Sequence, residues 1–185
     1  MKFFTSLMVV LVISLIAGSA FAAENVDPDN DGSQYAFGAN LGWLNAEPLG
    51  DDGPGMMLQL STIYGWLWSA NSGWISLSCQ NTGSCDMVDY GVTHDSSGNL
   101  SGYAWSPNIG WISFSCANTD TCNDIAYGVQ VDLSTGDVTG ASYAANAGWL
   151  TFSCETSGSC ANIQYSVKVD LGTFSPVIFQ DRFEG

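Results

Sequence analysis

Basic residues are nearly absent from this 185-residue chain: three Lys and Arg and one His stand against 18 Asp and Glu, a formal net charge of −15. Such a surface repels phosphate backbones and anionic headgroups, which argues against nucleic acid and charged-membrane partners. It attracts cations, although its simplest use is to keep an aromatic-rich chain dissolved. Long apolar runs are also scarce. The one present, Phe3 to Ala17, is preceded by Met1-Lys2 and followed by Ala20-Phe21-Ala22. A membrane span needs about 20 apolar residues. A charged start, a short apolar stretch and small-x-small residues instead describe a secretory signal peptide. Cleavage is expected after Ala22. It leaves a mature chain with no membrane span, and losing Lys2 takes the charge from −15 to −16.

Helical periodicity is missing from the mature part, and what replaces it is repetition, the first thing to seek in such a chain. Residues 101–138 read SGYAWSPNIGWISFSC, ANTDTC, NDIAYGVQVDLSTGDV; residues 64–100 and 139–175 repeat the pattern, and residues 35–63 carry a shortened copy. The unit is about 37 residues long. Terminal copies of a repeat array are often atypical because they cap it. Four columns run down the copies: Phe37, Trp68, Trp105 and Tyr143; Asn40, Asn71, Asn108 and Asn146; Gly42, Gly73, Gly110 and Gly148; Trp43, Trp74, Trp111 and Trp149. Asn-x-Gly-Trp reads as a tight turn entering a strand, since Asn and Gly tolerate positive φ. Period-2 alternation predicts strands over 102–106, 111–116 and 127–132, with Ile112 and Phe114 on one face and Trp111 on the other.

All six cysteines fall in the repeats as C-x5-C pairs: Cys79/Cys85, Cys116/Cys122 and Cys154/Cys160. After a signal peptide, an even count at repeated spacing implies disulfides. Six cysteines allow 15 pairings; repetition favours the local one, because each unit then closes its own loop. A zinc site is the rival reading, but zinc ligands usually sit closer together and recruit His.

The fold class expected is all-β: an antiparallel meander of four tandem repeats, preferentially an open, solenoid-like stack, with a four-bladed propeller or barrel as the alternative. The layout is a signal peptide (1–22), an acidic linker (23–34), the repeat domain (35–175; units 35–63, 64–100, 101–138 and 139–175) and a tail (176–185).

The repeats resemble a group of secreted bacterial proteins, many from Gram-negative species, with tandem GYAW-x-x-NIGWI-x-F units followed by YGV-x-x-D and a turn. The resemblance covers residues 35–175 and implies export and a β fold; it brings no activity with it. The last nine residues, VIFQDRFEG, resemble the IF-x-x-GFE ending of exported gammaproteobacterial proteins, with Arg182 where that pattern has Gly. The expected location is secreted, extracellular or at the surface of a Gram-negative cell, with the periplasm as the alternative.

Candidate chemistry is sparse. Asp27, Asp29 and Asp31 form a D-x-D-x-D-G run ending at Gly32. Alternate carboxylates around a Gly turn suit Ca²⁺, but the twelfth position, where an EF-hand loop has Glu, is Gly38; the competing reading is an acidic linker. Asp95, Asp132 and Asp170 recur where the third strand ends, placed to accept backbone N–H bonds in turns. His94 stands where other repeats have Val131 and Val169, which favours packing over a Ser-His-Asp triad. A paired-carboxylate glycosidase is the weaker enzymatic reading, since most acids fall in turns. Trp43, Trp74, Trp111 and Trp149 share a face with Ser and Thr. Exposed, they would stack on sugar rings or a protein partner; packed on one another, they would only cover the sheet.

These features predict a non-enzymatic structural or interaction protein of the cell surface or matrix, one that associates with itself or with other surface components. The alternative is a glycan-binding module that uses the Trp rows with calcium as a helper. No other cofactor is expected.

Overall fold

The computed structural model describes residues 26–48 and 55–171. The expected signal peptide and the expected tail lie outside the described residues. Thirteen strands run in chain order: β1 (Tyr35–Gly38), β2 (Gly42–Asn45), β3 (Met57–Gln59), β4 (Thr62–Tyr64), β5 (Trp66–Ser69), β6 (Gly73–Ser76), β7 (Val92–His94), β8 (Leu100–Ser106), β9 (Gly110–Ser113), β10 (Val129–Val131), β11 (Asp137–Ala144), β12 (Gly148–Thr151) and β13 (Val167–Lys168). All named pairings are antiparallel.

Each repeat contributes one tight hairpin: β1–β2, β5–β6, β8–β9 and β11–β12. Neighbouring hairpins pair through β2–β5, β6–β8 and β9–β11. The last then returns to the first, with Phe37 opposite Thr151 and Gly38 opposite Leu150. The result is a closed eight-stranded barrel, so the open, solenoid-like stack is corrected to the barrel alternative. The physical reason is the strand count. Four two-stranded units, each twisted against the next, supply eight strands, the number whose interior side chains just fill. Closure also removes the free edges that an open stack would expose.

The interior shows why the sum fits. First strands of the hairpins point mostly small residues inward: Ala36, Ala104 and Ser142, with Leu67 the exception, then Gly38, Ser69, Ser106 and Ala144. Second strands supply bulk with Leu44, Ile75, Ile112 and Leu150, and the chain just beyond them adds Leu77, Phe114 and Phe152, with Ala46 the small member, none more than 1% exposed. Alternation of small and large side chains is how a narrow barrel is filled without strain. Each buried Leu or Ile contributes roughly 1.5–3 kcal/mol relative to an exposed one.

The Asn column does not act as expected. None of the four adopts positive φ; the turn glycines do, at +70° to +80°. Each Asn instead donates its side-chain amide to a carbonyl in the preceding hairpin's turn: Asn71 to Leu41, Asn108 to Ser72, Asn146 to Ile109, and Asn40 to Ala147. The cycle of four bonds ties one barrel end shut.

Below the barrel lies a second tier of short hairpins. Strands β8 and β11 run through both tiers and bend at Gly102 and Gly140, whose φ values are +85° and +89°. Added Cβ atoms there would lie 2.0 Å from the Gly91 oxygen and 2.1 Å from the Gly128 oxygen. In the lower tier β7 pairs with the start of β8, β10 and β13 with β11, and β3 with β4. Its buried Ile63, Val92, Val129, Val131, Val138 and Val167 continue the barrel core. The expected strand over 127–132 shortens to β10 because Tyr127 and Gly128 serve the bend instead.

The three disulfides are Cys79–Cys85, Cys116–Cys122 and Cys154–Cys160, each across a sequence separation of six. Where no helix was expected, a single helical turn starts at the first cysteine of each pair, capped by Ser78, Ser115 or Ser153. Serine is a strong N-cap because its oxygen accepts an otherwise unpaired backbone N–H. Three disulfides fit an oxidising compartment. Among the described residues no helix is long and apolar enough to cross a membrane.

Candidate functional site

The outer face of the barrel carries the aromatic columns. Strand register places them directly opposite each other: Phe37 with Trp43, Trp68 with Trp74, Trp105 with Trp111, and Tyr143 with Trp149. Inward-facing Leu44, Ile75, Ile112 and Leu150 follow the Trp residues by one position, so alternation forces the rings outward. Seven of the eight remain 37–45% exposed. The girdle is therefore both packed and open.

Each second-strand Trp is held by neighbouring rings, edge-on in all but the tilted Tyr143–Trp149 pair. Trp111 meets Tyr90, Tyr103 and Trp105 at centroid distances of 5.3, 6.2 and 6.5 Å. Trp149 meets Tyr127 at 5.2 Å and Tyr143 at 4.8 Å, and Trp43 meets Tyr165 at 5.4 Å. Tyr90, Tyr127 and Tyr165 form a column of their own, each reaching from one repeat to the Trp of the next. Edge-to-face pairs of this kind add about 0.5–1.5 kcal/mol beyond their buried area. The girdle thus has fixed rings rather than loose ones.

Clefts separate the hairpins. One, of about 340 Å³, lies between Trp66, Trp74, Trp105 and Pro107. Another, of about 510 Å³, has Trp111, Tyr127, Tyr143 and Trp149 as walls and Thr119 and Thr121 at its rim. Val88, Ile125 and Ile163, each three residues after its second cysteine, are half-exposed and extend the apolar surface. This aliphatic column was legible from the repeat spacing but is not singled out by the aromatic pattern.

The disulfide loops position the girdle. Asn118 accepts the Gly102 N–H at 2.9 Å and returns its amide to the Gly102 carbonyl and the Ser113 hydroxyl. Asn81 does the same for Gly65 and Ser76. In the fourth repeat Thr156 accepts from Gly140 at 2.8 Å. Each loop therefore clamps the bend that leads into its own barrel strand. These clamps were missed because the decisive residue is a single Asn inside a variable-looking loop.

The three aspartates of the D-x-D-x-D-G run take separate roles. Asp27 is 5% exposed, and its carboxylate accepts from the Asp31 and Gly32 N–H groups and the Ser33 hydroxyl, at 2.9, 2.9 and 3.0 Å. Burial pushes its carboxyl up, but those donors outweigh it and hold it below the ordinary value. Asp29 pairs with Lys168. Asp31 caps Ser33. Among the described residues, the one group of three metal-type side chains that converges is Cys79, Cys85 and Asp89, and its sulfurs are bonded to each other.

Asp95 and Asp132 sit in turns. The Asn99 side-chain amide, with the Asn99 and Ser97 N–H groups, lowers the Asp95 carboxyl; the Ser134 hydroxyl and N–H lower that of Asp132. His94 lies in β7 opposite Leu100, with Nδ1 2.9 Å from the Asp95 carbonyl oxygen, while Val131 and Val169 in the same column are fully buried.

These features define a closed antiparallel barrel of repeated hairpins that presents a fixed aromatic belt outward. No family model, curated protein or solved structure matches the chain.

Proposed function

We propose that the chain is an exported, non-catalytic interaction module of the cell surface or matrix, and that the aromatic girdle is its contact surface. The observation that carries this reading is the exposure of seven girdle rings at 37–45% while their neighbours hold them in place. Large exposed apolar patches mark interaction sites on secreted proteins, and ordered aromatics lose little entropy when they become buried anchors. Closure of the barrel turns self-association away from strand edges and toward these side chains. Four related faces around one axis favour multivalent contact, in which several weak sites act together.

A polysaccharide partner is the second reading, and the cleft between the third and fourth hairpins favours it. Aromatic walls beside the Thr119 and Thr121 hydroxyls offer ring stacking together with hydrogen bonds. The acidic surface restricts such a partner to neutral or cationic glycans.

The test is size-exclusion chromatography of the processed protein, alone and with a soluble neutral β-glucan, with Trp fluorescence read in parallel. Ordered oligomers that the Trp43→Ala/Trp149→Ala double variant disperses support self-association. A monomer whose fluorescence shifts saturably with glucan supports the second reading. A monomer that responds to no glycan or surface component, with the double variant indistinguishable from the parent on intact cells, overturns both.

A further inference from the structure

One cleft differs from its relatives by a charge. It has a volume of about 780 Å³ and is lined by Tyr90, Tyr103, Trp111, Val88, the Cys79–Cys85 bridge and Asp89. The corresponding position after the other disulfides is Ala126 in the third repeat and Gln164 in the fourth, so the carboxylate belongs to this cleft alone. Its nearest polar contact is Cys79 Sγ, 3.6 Å from Oδ1. That sulfur is in a disulfide and has no hydrogen to donate. Among the described residues, then, no N–H or O–H group donates to Asp89. Lys168 is the one Lys or Arg among the described residues, and it is paired with Asp29.

We propose that this cleft binds a quaternary ammonium ion. Aromatic rings attract cations through their negative faces, and an adjacent carboxylate supplies the remaining charge. The ligand class follows from the walls and the single charge. Asp89 is the cleft's one carboxylate, set beside three rings, Val88 and the disulfide; the remaining polar side chains of the lining, Thr62, Ser78, Gln80 and Thr93, are neutral. A methylated ammonium donates no hydrogen bonds and meets those walls with methyl groups. Hydrated divalent metal ions are usually held by more than one carboxylate, and Asp89 is the one carboxylate in the lining. The net charge of −15 concentrates cations near the surface. The inference shares Trp111 with the girdle but goes beyond the interaction reading, and it stands whether or not the girdle meets a partner.

The experiment is a choline titration of the processed, disulfide-intact protein, followed by Trp fluorescence and by NMR shifts of the Trp111 indole. The controls are 3,3-dimethylbutan-1-ol, which has the same shape without the charge, and the Asp89→Asn variant. Saturable binding is expected, about tenfold weaker for the neutral isostere and weakened several-fold by Asp89→Asn. Ala126→Asp should add a second, equivalent site. Asp89 is exposed, so its replacement leaves the fold intact, which unchanged near-UV circular dichroism checks. Equal affinities for choline and the isostere, no effect of Asp89→Asn, or no saturation below about 100 mM would overturn the proposal while leaving the girdle reading untouched.

Discussion

The side-chain amide of Asn40, in the first repeat, donates to the carbonyl of Ala147, in the fourth, at 3.0 Å across 107 residues of chain. It repeats what Asn71, Asn108 and Asn146 do locally, but here it joins the two ends of the array. Its loss should therefore act on closure. Asn40→Ala is expected to destabilise the protein by about 1 kcal/mol, the usual net value of such a bond. Amide exchange should rise first along the β1–β12 seam, while Asn108→Ala should cost a similar amount without opening that seam. Denaturant melts and site-resolved hydrogen exchange check both.

The distinction between seam and interior junctions marks the limit of what repetition tells. The hairpin, its turn glycine, its disulfide and the inward set headed by Ile112 and Phe114 follow from residues within one unit, so each is readable from any of the three full copies. Closure depends on how the twist of four units adds up. That property resides in no single unit, and the open stack was the expectation for that reason. The role of Asn40 was hidden in the same way: the residue type fits a turn, but its partner is in another repeat. The girdle was half legible. Alternation around Trp111 places it opposite Ile112, but only the barrel's curvature shows that outward rings are both packed by Tyr90 and left open.

The disulfide loops should act through their clamps. In the chain-entropy picture a bridge closing so short a loop stabilises by roughly 2 kcal/mol. The Cys116→Ser/Cys122→Ser variant is expected to lose about that amount and also to loosen the Asn118 clamp on Gly102. A sharper variant is Gly102→Ala. It adds a methyl 2.0 Å from the Gly91 oxygen at φ +85°, and backbone strain of this kind costs about 1–3 kcal/mol before any clash is relieved. Gly83→Ala, at φ +64° with nothing within 4 Å, should cost less. A reversed order in thermal melts would remove the clamp from the account.

Neighbouring residues on one strand should separate stability from binding. Ile112 is 1% exposed and Trp111 is 45% exposed. Ile112→Ala is expected to cost about 2–5 kcal/mol, as large-to-small changes in a packed core do. Trp111→Ala should cost clearly less, because it leaves no enclosed cavity, yet it should abolish the partner response of the girdle. Equilibrium unfolding and the fluorescence assay, run on both variants, would show the opposite pattern if the rings were only a cover for the sheet.

Asp27 ties stability to pH. Its folded carboxyl lies below the ordinary value, so the folded state holds its proton more weakly than the unfolded chain, whose Asp titrates near about 3.9. The stabilisation is accordingly complete above that unfolded value and disappears as the pH falls through the depressed folded one. Asp27→Asn should lower stability at neutral pH by about 1–2 kcal/mol, since three donors lose a charged acceptor, and the deficit should shrink as acid protonates the parent. The same geometry bears on calcium. Both oxygens of Asp27 are engaged and Asp29 is paired with Lys168, so Ca²⁺ would have to displace bonds already made. Millimolar Ca²⁺ is expected to leave the melting temperature unchanged. A rise that Asp27→Asn abolishes would instead place the ion at this turn.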